Sequence, residues 1–580
     1  MKKIMLGNEA AARGLYEAGC RLVSSYPGTP STEITEFAAK YDEIYAEWAP
    51  NEKVALETAL GASVAGGRSA CCMKHVGLNV AADPLFIGAY VGVGGGMLVM
   101  VADDPGMHSS QNEQDSRHYA EAAKLPMLEP SNSMECLEFV KKGFDLSEKY
   151  DTPVIIRLCT RVSHSQSVVE LSDREEKDLV EYAKDPTKRV MAPANARPRH
   201  ITVEQRLDAL SELADECEFN KVEINDTKIG VITSGTCYNY AHEVFGKNAS
   251  YLKIGMVYPL PAKLIKGFAE KCDRIIVIEE LDSFIESFCN GIGVKTDGKN
   301  ILPRTDEFSQ ELLREKLLGE KKEYNALDDQ IPGRPPVLCP GCPHRGVFYV
   351  FKKLKLYVAG DIGCYTLGAS APLGAMDTTF CMGASVSSIH GFNKIRPENT
   401  GKSVAVIGDS TFMHSGITGL VNLVYNKGYS TVVILDNRIT AMTGHQQNPS
   451  TGMTLKEQPT YAVMPENVAE AVGVRKEHIR TVDPLNVAEV EKVLKEELAS
   501  EEPSVIVCRR PCALLKGVTK MPAYSIDPDK CKSCRACMGI GCPCISMVNG
   551  KAFIDSTLCT GCGLCSQLCR FGAINGGEKK

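Results

Sequence analysis

The chain has little net charge of either sign: 65 lysines and arginines meet 72 aspartates and glutamates, leaving −7 over 580 residues. That balance offers no general attraction for nucleic acid or an anionic membrane surface. A low-complexity tract is also missing. Hydrophobic residues at 44% and charged residues at 24% are ordinary for a soluble globular protein with a sizeable core. The N-terminal MKKIMLGNEAAARGL has two lysines but no long apolar run, so no secretory signal is expected. At roughly 150 residues per domain, the length predicts about four domains.

Long uncharged runs are scarce as well. Residues 84–102, PLFIGAYVGVGGGMLVMVA, come nearest to the length that spans a bilayer. Asp83, Asp103 and Asp104 flank this run, and GVGGG interrupts it. It is read as a buried helix, a glycine turn and a buried parallel strand, and no membrane span is expected.

Cysteine, by contrast, is abundant, with 24 in the chain. CxxC spacings without a signal peptide favour metal binding in a reducing cytoplasm over disulfides. The tail concentrates them. Cys531, Cys534, Cys537 and Cys542 are spaced C-x2-C-x2-C-x4-C, and Cys559, Cys562, Cys565 and Cys569 follow as C-x2-C-x2-C-x3-C. Tight CxxCxxC turns present three thiolates to one face of an iron–sulfur cubane, and the fourth ligand comes from the other run. The expected quartets are therefore Cys531, Cys534, Cys537 and Cys569, and Cys542, Cys559, Cys562 and Cys565. Zinc is the competing reading of paired CxxC motifs, but two triplets with distant fourth cysteines favour two [4Fe–4S] clusters. Arg570 stands where a proline usually follows the last ligand, and Cys544 is a rival to Cys542.

Upstream, SVAVIG and TVVIL in 402–439 are β-branched runs around a helix-like segment, a βαβ unit. Asp409 and Asn437 then fall at the carboxyl edge of a parallel sheet, where ligands bind in open α/β folds. Their side-chain oxygens, with a backbone carbonyl at Ile439, water and a diphosphate, can complete an octahedral Mg2+ site. The 28-residue spacing resembles the thiamine diphosphate motif, with end-capping by Asp409 as the plainer alternative. In PNEKVALETALGASVAGG, Glu52 lies nine residues before Gly61, a spacing that resembles the activating glutamate and glycine of thiamine enzymes. Glu57 is its rival, and the plainer reading of Glu52 is a macrodipole-favoured helix start.

Six motifs in order resemble the thiamine-dependent 2-oxoacid:ferredoxin oxidoreductases, and most closely the large subunits of the arylpyruvate branch. They are YPGTPSTE (26–33), ETALGAS (57–63), CPGCPHRG (339–346), GDIGCYTLG (360–368), GDSTFMHSG (408–416) and the double cysteine tail. The resemblance implies an α/β chain of thiamine diphosphate-binding folds with parallel sheets, a transketolase C-terminal-like α/β domain and a C-terminal two-cluster ferredoxin-like α+β domain. It implies oxidative decarboxylation of an aryl 2-oxoacid such as indolepyruvate, with acyl transfer to coenzyme A and electrons passed to ferredoxin. A smaller beta subunit, in a heterodimer or an α2β2 assembly, is the implied partner.

By the same resemblance, Gly363, Cys364, Met382, Gly408 and Ser410 join Glu52, Asp409, Asn437 and Ile439 around the cofactor. Arg117 would bind the substrate carboxylate, and Thr29 would line the same site. A third [4Fe–4S] cluster would use Cys339, Cys342, Cys364 and Cys512, with Cys508 the weaker choice for the last ligand. The expected segments are a pyrimidine-binding domain (1–165), a helical connector (166–225), the transketolase-like domain (226–330), the diphosphate-binding domain (335–516) and the ferredoxin-like domain (520–580). A non-redox thiamine-dependent decarboxylase or synthase explains Glu52, Asp409 and Asn437 but gives the cysteine tail no task. A related enzyme with another 2-oxoacid substrate is a further alternative. An electron-transfer subunit without catalysis would not need Glu52, Asp409 and Asn437.

Overall fold

The structure, a computed structural model, describes residues 1–321 and 331–576, and the chain divides into two compact units, Met1–Asp328 and Asp329–Lys580. The last residues of the expected 226–330 and 520–580 segments lie outside the described residues.

Seven strands make the main sheet of the first unit, in the order Met256–Tyr258, Met127–Leu128, Val154–Cys159, Met97–Asp103, Ser69–Lys74, Leu22–Ser25 and Tyr45–Trp48. All neighbours are parallel except the first pair. The central strands SACCMK, MLVMVAD and VIIRLC are buried along their whole length. Such runs suit a sheet covered by helices on both faces. The uncharged stretch resolves into the helix Ala82–Val91, a glycine turn and the strand Met97–Asp103. A β-carbon at Gly94 would stand 2.3 Å from the Ser63 carbonyl oxygen, which explains the interruption. Among the described residues no helix is long and apolar enough to cross a membrane.

A second sheet in this unit runs Ile275–Ile278, Gly230–Ser234, Ser250–Ile254 and Lys221–Glu223, with only the last strand antiparallel. Here the sequence misleads twice. KIGMVYPLP reads as one strand, yet Ser250–Ile254 belongs to this sheet and Met256–Tyr258 to the first. Gly255 makes the crossing, where a β-carbon would lie 2.3 Å from the Phe219 carbonyl oxygen. The connector is also less helical than expected. Gln166–Glu170 is a strand paired with Lys2–Leu6, and the charge run after it has no helix before Pro186. That run has no apolar stripe to bury as a helix. It lies extended instead, Glu175 N–H donating to Glu17 O (2.8 Å) and Val180 N–H to Gly66 O (3.0 Å). Helix begins in earnest only at Pro193–Glu216.

The second unit holds a six-stranded, wholly parallel sheet: Thr378–Thr379, Tyr357–Gly360, Ser403–Gly408, Thr431–Asp436, Ser504–Arg509 and Ile479–Val482. Its C-terminal part is small and α+β. Ser525–Ile526 pairs antiparallel with Ile574–Asn575, and Ile545–Val548 with Lys551–Ile554. Cysteines and aliphatic residues of this part share one buried core with Val347, Phe348 and Phe351 of the parallel-sheet part.

Candidate functional site: a sheet edge and three cysteine quartets

In the second unit, four adjacent parallel strands end on chemistry. Asp361 follows Tyr357–Gly360, Asp409 follows Ser403–Gly408, Asn437 follows Thr431–Asp436, and Cys512 follows Ser504–Arg509. Asp409 is 2% exposed and accepts from Asn448 Nδ2 (3.2 Å) and Ser450 Oγ (3.1 Å). Burial, and then the charge of Asp436, push its pKa up to about 7. A carboxylate so placed fits a cation, which would offset both the burial and the repulsion from Asp436. Asn437 and Ile439 are buried beside it, the Ile439 N–H donating to Asn437 Oδ1 at 3.3 Å. Arg438 between them is left-handed, with φ +61°.

Gly363 and Gly408 both press on one ring, since β-carbons there would lie 2.4 and 2.7 Å from Tyr365 Cε1. Ser410 Oγ hydrogen-bonds Thr440 Oγ1 at 2.8 Å. Met382 is half-buried just before Gly383, whose N–H donates to Asp361 Oδ1 at 2.9 Å. Asp361 also accepts from Ser385 N (3.0 Å), capping the helix Ala384–Ile395. Motif reading assigned Asp361 no role, although it is the second residue of the quoted GDIGCYTLG.

The cysteines fall into three groups. Neighbouring thiols that raise the Cys537 pKa are Cys531, Cys534 and Cys569, after burial. Those acting on Cys565, whose pKa burial pushes to about 12, are Cys562, Cys542 and Cys559, then Cys537. A cavity is lined by Cys542, Cys544, Cys559, Cys562, Cys565 and Arg345. Cys544 is the more buried of the two rivals, but Cys542 is the thiol felt by both Cys562 and Cys565. The third group is spread over 173 positions of sequence: Cys364 feels Cys512 and Cys339, and Cys342 feels Cys339 and Cys364. Cys508 lies buried inside its strand and feels Asp483 instead.

Among the described residues, no three cysteine sulfurs lie within 4.8 Å of one another. A tetrahedral zinc site would hold its sulfurs about 3.8 Å apart, from a Zn–S bond of about 2.3 Å. Among the described residues, no group of thiols as placed meets that spacing.

The first unit offers its own edge. Asn51 caps the helix Glu52–Val64, accepting from Val54 N at 2.9 Å, and places Glu52, 4% exposed, in the first turn. Glu57 is exposed and paired with Lys53. Gly61 is exposed with open space at its β-position, so packing gives no reason for a glycine there. The buried Lys74 ends its strand, donates to Ser109 O (2.7 Å) and has a pKa lowered to about 8 by burial, against Asp104 and Glu52. The Lys74 side chain packs on Gly28, in the buried loop that carries the half-buried Thr29. A lone lysine closing the apolar SACCMK was the available signal for it.

Arg117, expected at the substrate carboxylate, is engaged elsewhere in this structure. Its guanidinium is 1% exposed and committed to protein acceptors: Asp115 (2.5 and 2.8 Å), Glu279 (2.6 Å) and the carbonyls of Glu280 and Asp282. It ties the first sheet to the loop after Ile275–Ile278, so a substrate carboxylate would have to displace a buried one. The neighbouring triad Asp115, His118 and Asp282 could geometrically hold a metal ion, but Asp115 is already taken by Arg117.

Comparison with known proteins agrees with this layout. The pyruvate flavodoxin/ferredoxin oxidoreductase thiamine diphosphate-binding model matches residues 13–216. The C-terminal TPP-binding domain of thiamine pyrophosphate enzymes matches 361–508, and a 4Fe-4S binding domain matches 552–575. Indolepyruvate oxidoreductase subunit IorA of Methanothermobacter marburgensis is 40% identical, over 98% of this chain and 96% of its own. The Archaeoglobus fulgidus IorA is also 40% identical, over 99% and 97%. A 2-oxoglutarate:ferredoxin oxidoreductase structure from Magnetococcus marinus aligns with TM-score 0.46 and 18% identity, over 55% of this chain and 65% of that one.

Proposed function

This chain belongs to the indolepyruvate oxidoreductase subunit IorA family, and on that footing we propose that it is the catalytic subunit of an arylpyruvate:ferredoxin oxidoreductase. The reaction converts an aryl 2-oxoacid and coenzyme A into an aryl-acetyl-coenzyme A thioester and CO2, with two electrons leaving singly to ferredoxin. Thiamine diphosphate supplies the electron sink for decarboxylation, while the protein supplies orientation and electrostatics. Glu52 holds a proton at N1′ of the aminopyrimidine. Asp409, Asn437 and the Ile439 carbonyl hold Mg2+ on the diphosphate, and Gly363, Gly408 and Ser410 line its path. Thr29 offers a hydroxyl to the substrate. Cys531, Cys534, Cys537 and Cys569 hold one [4Fe–4S] cluster, Cys542, Cys559, Cys562 and Cys565 a second, and Cys339, Cys342, Cys364 and Cys512 a third.

The observation that carries the reading is a 3.0 Å hydrogen bond from the Cys512 N–H to the Asn437 carbonyl oxygen. It sets a member of the third cysteine group on the residue proposed to bind magnesium, so an electron acceptor would stand beside the decarboxylation site. A non-redox decarboxylase has no use for that adjacency. A smaller beta subunit, in a heterodimer or an α2β2 enzyme, and a cytoplasmic location belong to the same reading, supported by the relatives' designation as subunits and by the 24 cysteines.

The test is anaerobic absorbance and electron paramagnetic resonance of the protein with its partner subunit, thiamine diphosphate and Mg2+. Indolepyruvate is added first without and then with coenzyme A. Bleaching of iron–sulfur absorbance with a reduced-cluster signal is the expected result. Indolepyruvate consumed while the clusters stay oxidised would overturn the redox assignment.

A further inference from the structure

The third and second cysteine groups lie on loops that touch. Gly341, between Cys339 and Cys342, has φ +72°, and a β-carbon there would stand 2.1 Å from Thr560 Oγ1, between Cys559 and Cys562. Gly346 makes a similar approach to Pro484 O (2.1 Å) and Leu564 Cδ2 (3.2 Å). The first contact packs the CPGC loop on the CTGC loop, and the second seats the helix that follows on Pro484 and Leu564.

Arg345 fills the space between them. It is 2% exposed, and every acceptor it uses is a neutral backbone carbonyl. On one side these are Leu338 and Cys339 (3.3 Å), and on the other Ile540 (3.3 Å) and Gly541, the residue before Cys542. Among the described residues no carboxylate forms an ion pair with it. A buried guanidinium without an anionic partner is costly unless some other negative charge compensates it. Burial lowers its pKa, and the groups that act against this are thiols from both loops, Cys542, Cys342, Cys339 and Cys562.

We propose that Arg345 is a positioning residue of the electron path, a fixed positive charge shared by the cluster on Cys339, Cys342, Cys364 and Cys512 and the cluster on Cys542, Cys559, Cys562 and Cys565. This rests on the cluster assignment given under Proposed function. One electron leaves the first cluster, which is oxidised, and enters the second, which is reduced; no bond or proton moves. The receiving cluster gains one negative charge at the moment of transfer. A guanidinium in a dry site favours that added charge and so raises the receiving cluster's potential, one of the levers a protein has on such centres. The carbonyl bonds on both sides hold the loops at a fixed separation while this happens.

The experiment is a redox titration followed by electron paramagnetic resonance on the assembled enzyme, with iron content measured in parallel. Arg345→Gln keeps the length and removes the charge. It should make the Cys542-containing cluster harder to reduce by about tenfold in its equilibrium constant, equivalent to about 59 mV for one electron. Arg345→Lys retains the charge and should leave the potential near that of the wild type. Unchanged potentials in an iron-replete Arg345→Gln protein would overturn the proposal. If the glutamine variant loses iron, the lysine variant decides: a tenfold fall there, with iron retained, also overturns it. Absence of a third cluster in the wild type would overturn it as well, since no donor would then stand on the Cys339 side of Arg345.

Discussion

The carboxylate of Glu52 lies so close over Gly77 that a β-carbon added to Gly77 would stand 2.6 Å from Oε1. Glu52 starts one helix and Gly77 lies in the short helix His75–Val80 that follows the adjoining strand, so one carboxylate is locked by two elements. Glu52→Gln should lower kcat by about 10²–10⁴-fold, the range for losing a positioned acid–base group. Gly77→Ala leaves the carboxylate in place chemically but pushes it aside, and should fall in the same direction by about 10²-fold. Cluster bleaching after mixing with indolepyruvate reads both, and circular dichroism checks the fold. Glu52→Gln activity within twofold of wild type would end the assignment.

Arg117 and Lys74 make opposite predictions. Arg117→Met leaves Asp115 and Glu279 buried without their shared cation, a loss of about 3–5 kcal/mol in stability. A sharp fall in the melting temperature is expected. We propose that Lys74, the buried cation on the edge that carries Glu52, meets the 2-oxoacid carboxylate; Lys74→Met should then raise KM for the 2-oxoacid by roughly 10–100-fold, the worth of one hydrogen bond to a charged group. If Arg117→Met melts like the wild type and raises KM instead, the two roles are reversed.

Cys512→Ser tests the third cysteine group separately. The variant should lose about four irons per chain, the content of one [4Fe–4S] cluster. The backbone N–H that meets Asn437 is untouched by the substitution, so Mg2+-dependent binding of thiamine diphosphate should persist. Iron analysis and a fluorescence titration with the cofactor read the two effects. An unchanged iron count would remove Cys512 from the ligand set.

The parts of this protein most legible in sequence were those where spacing itself is chemistry. Two CxxCxxC runs foretold which thiols of the tail neighbour one another, and Asp409 and Asn437 were placed at a sheet edge by β-branched runs alone. What stayed hidden depends on contacts between distant segments. Arg117 reads as a loop arginine until Glu279, 162 positions away, is seen against it. Arg345 reads as one residue of CPGCPHRG until Gly541, 196 positions on, accepts its hydrogen bond. The split of KIGMVYPLP between two sheets is likewise invisible, because both halves carry the same apolar pattern and only the close approach to Phe219 decides where one sheet ends.

Glu280 is buried in the first unit, and burial pushes its pKa up to about 7 from an ordinary 4.5, although the Phe308 N–H donates to it at 2.7 Å. Between those two values the folded protein holds a proton that the unfolded chain has released. Stability therefore falls as pH rises through this window; the contribution is fully present below the lower value and gone above the upper. The size is about 3 kcal/mol at most, from about 1.36 kcal/mol per pKa unit. Glu280→Gln keeps an acceptor for Phe308 and has no charge to bury. Its melting temperature should match the wild type near pH 5 and exceed it at pH 8. Equal differences at both pH values would mean that Glu280 is ionised in the folded protein throughout, and that Arg157 nearby, not a proton, neutralises it.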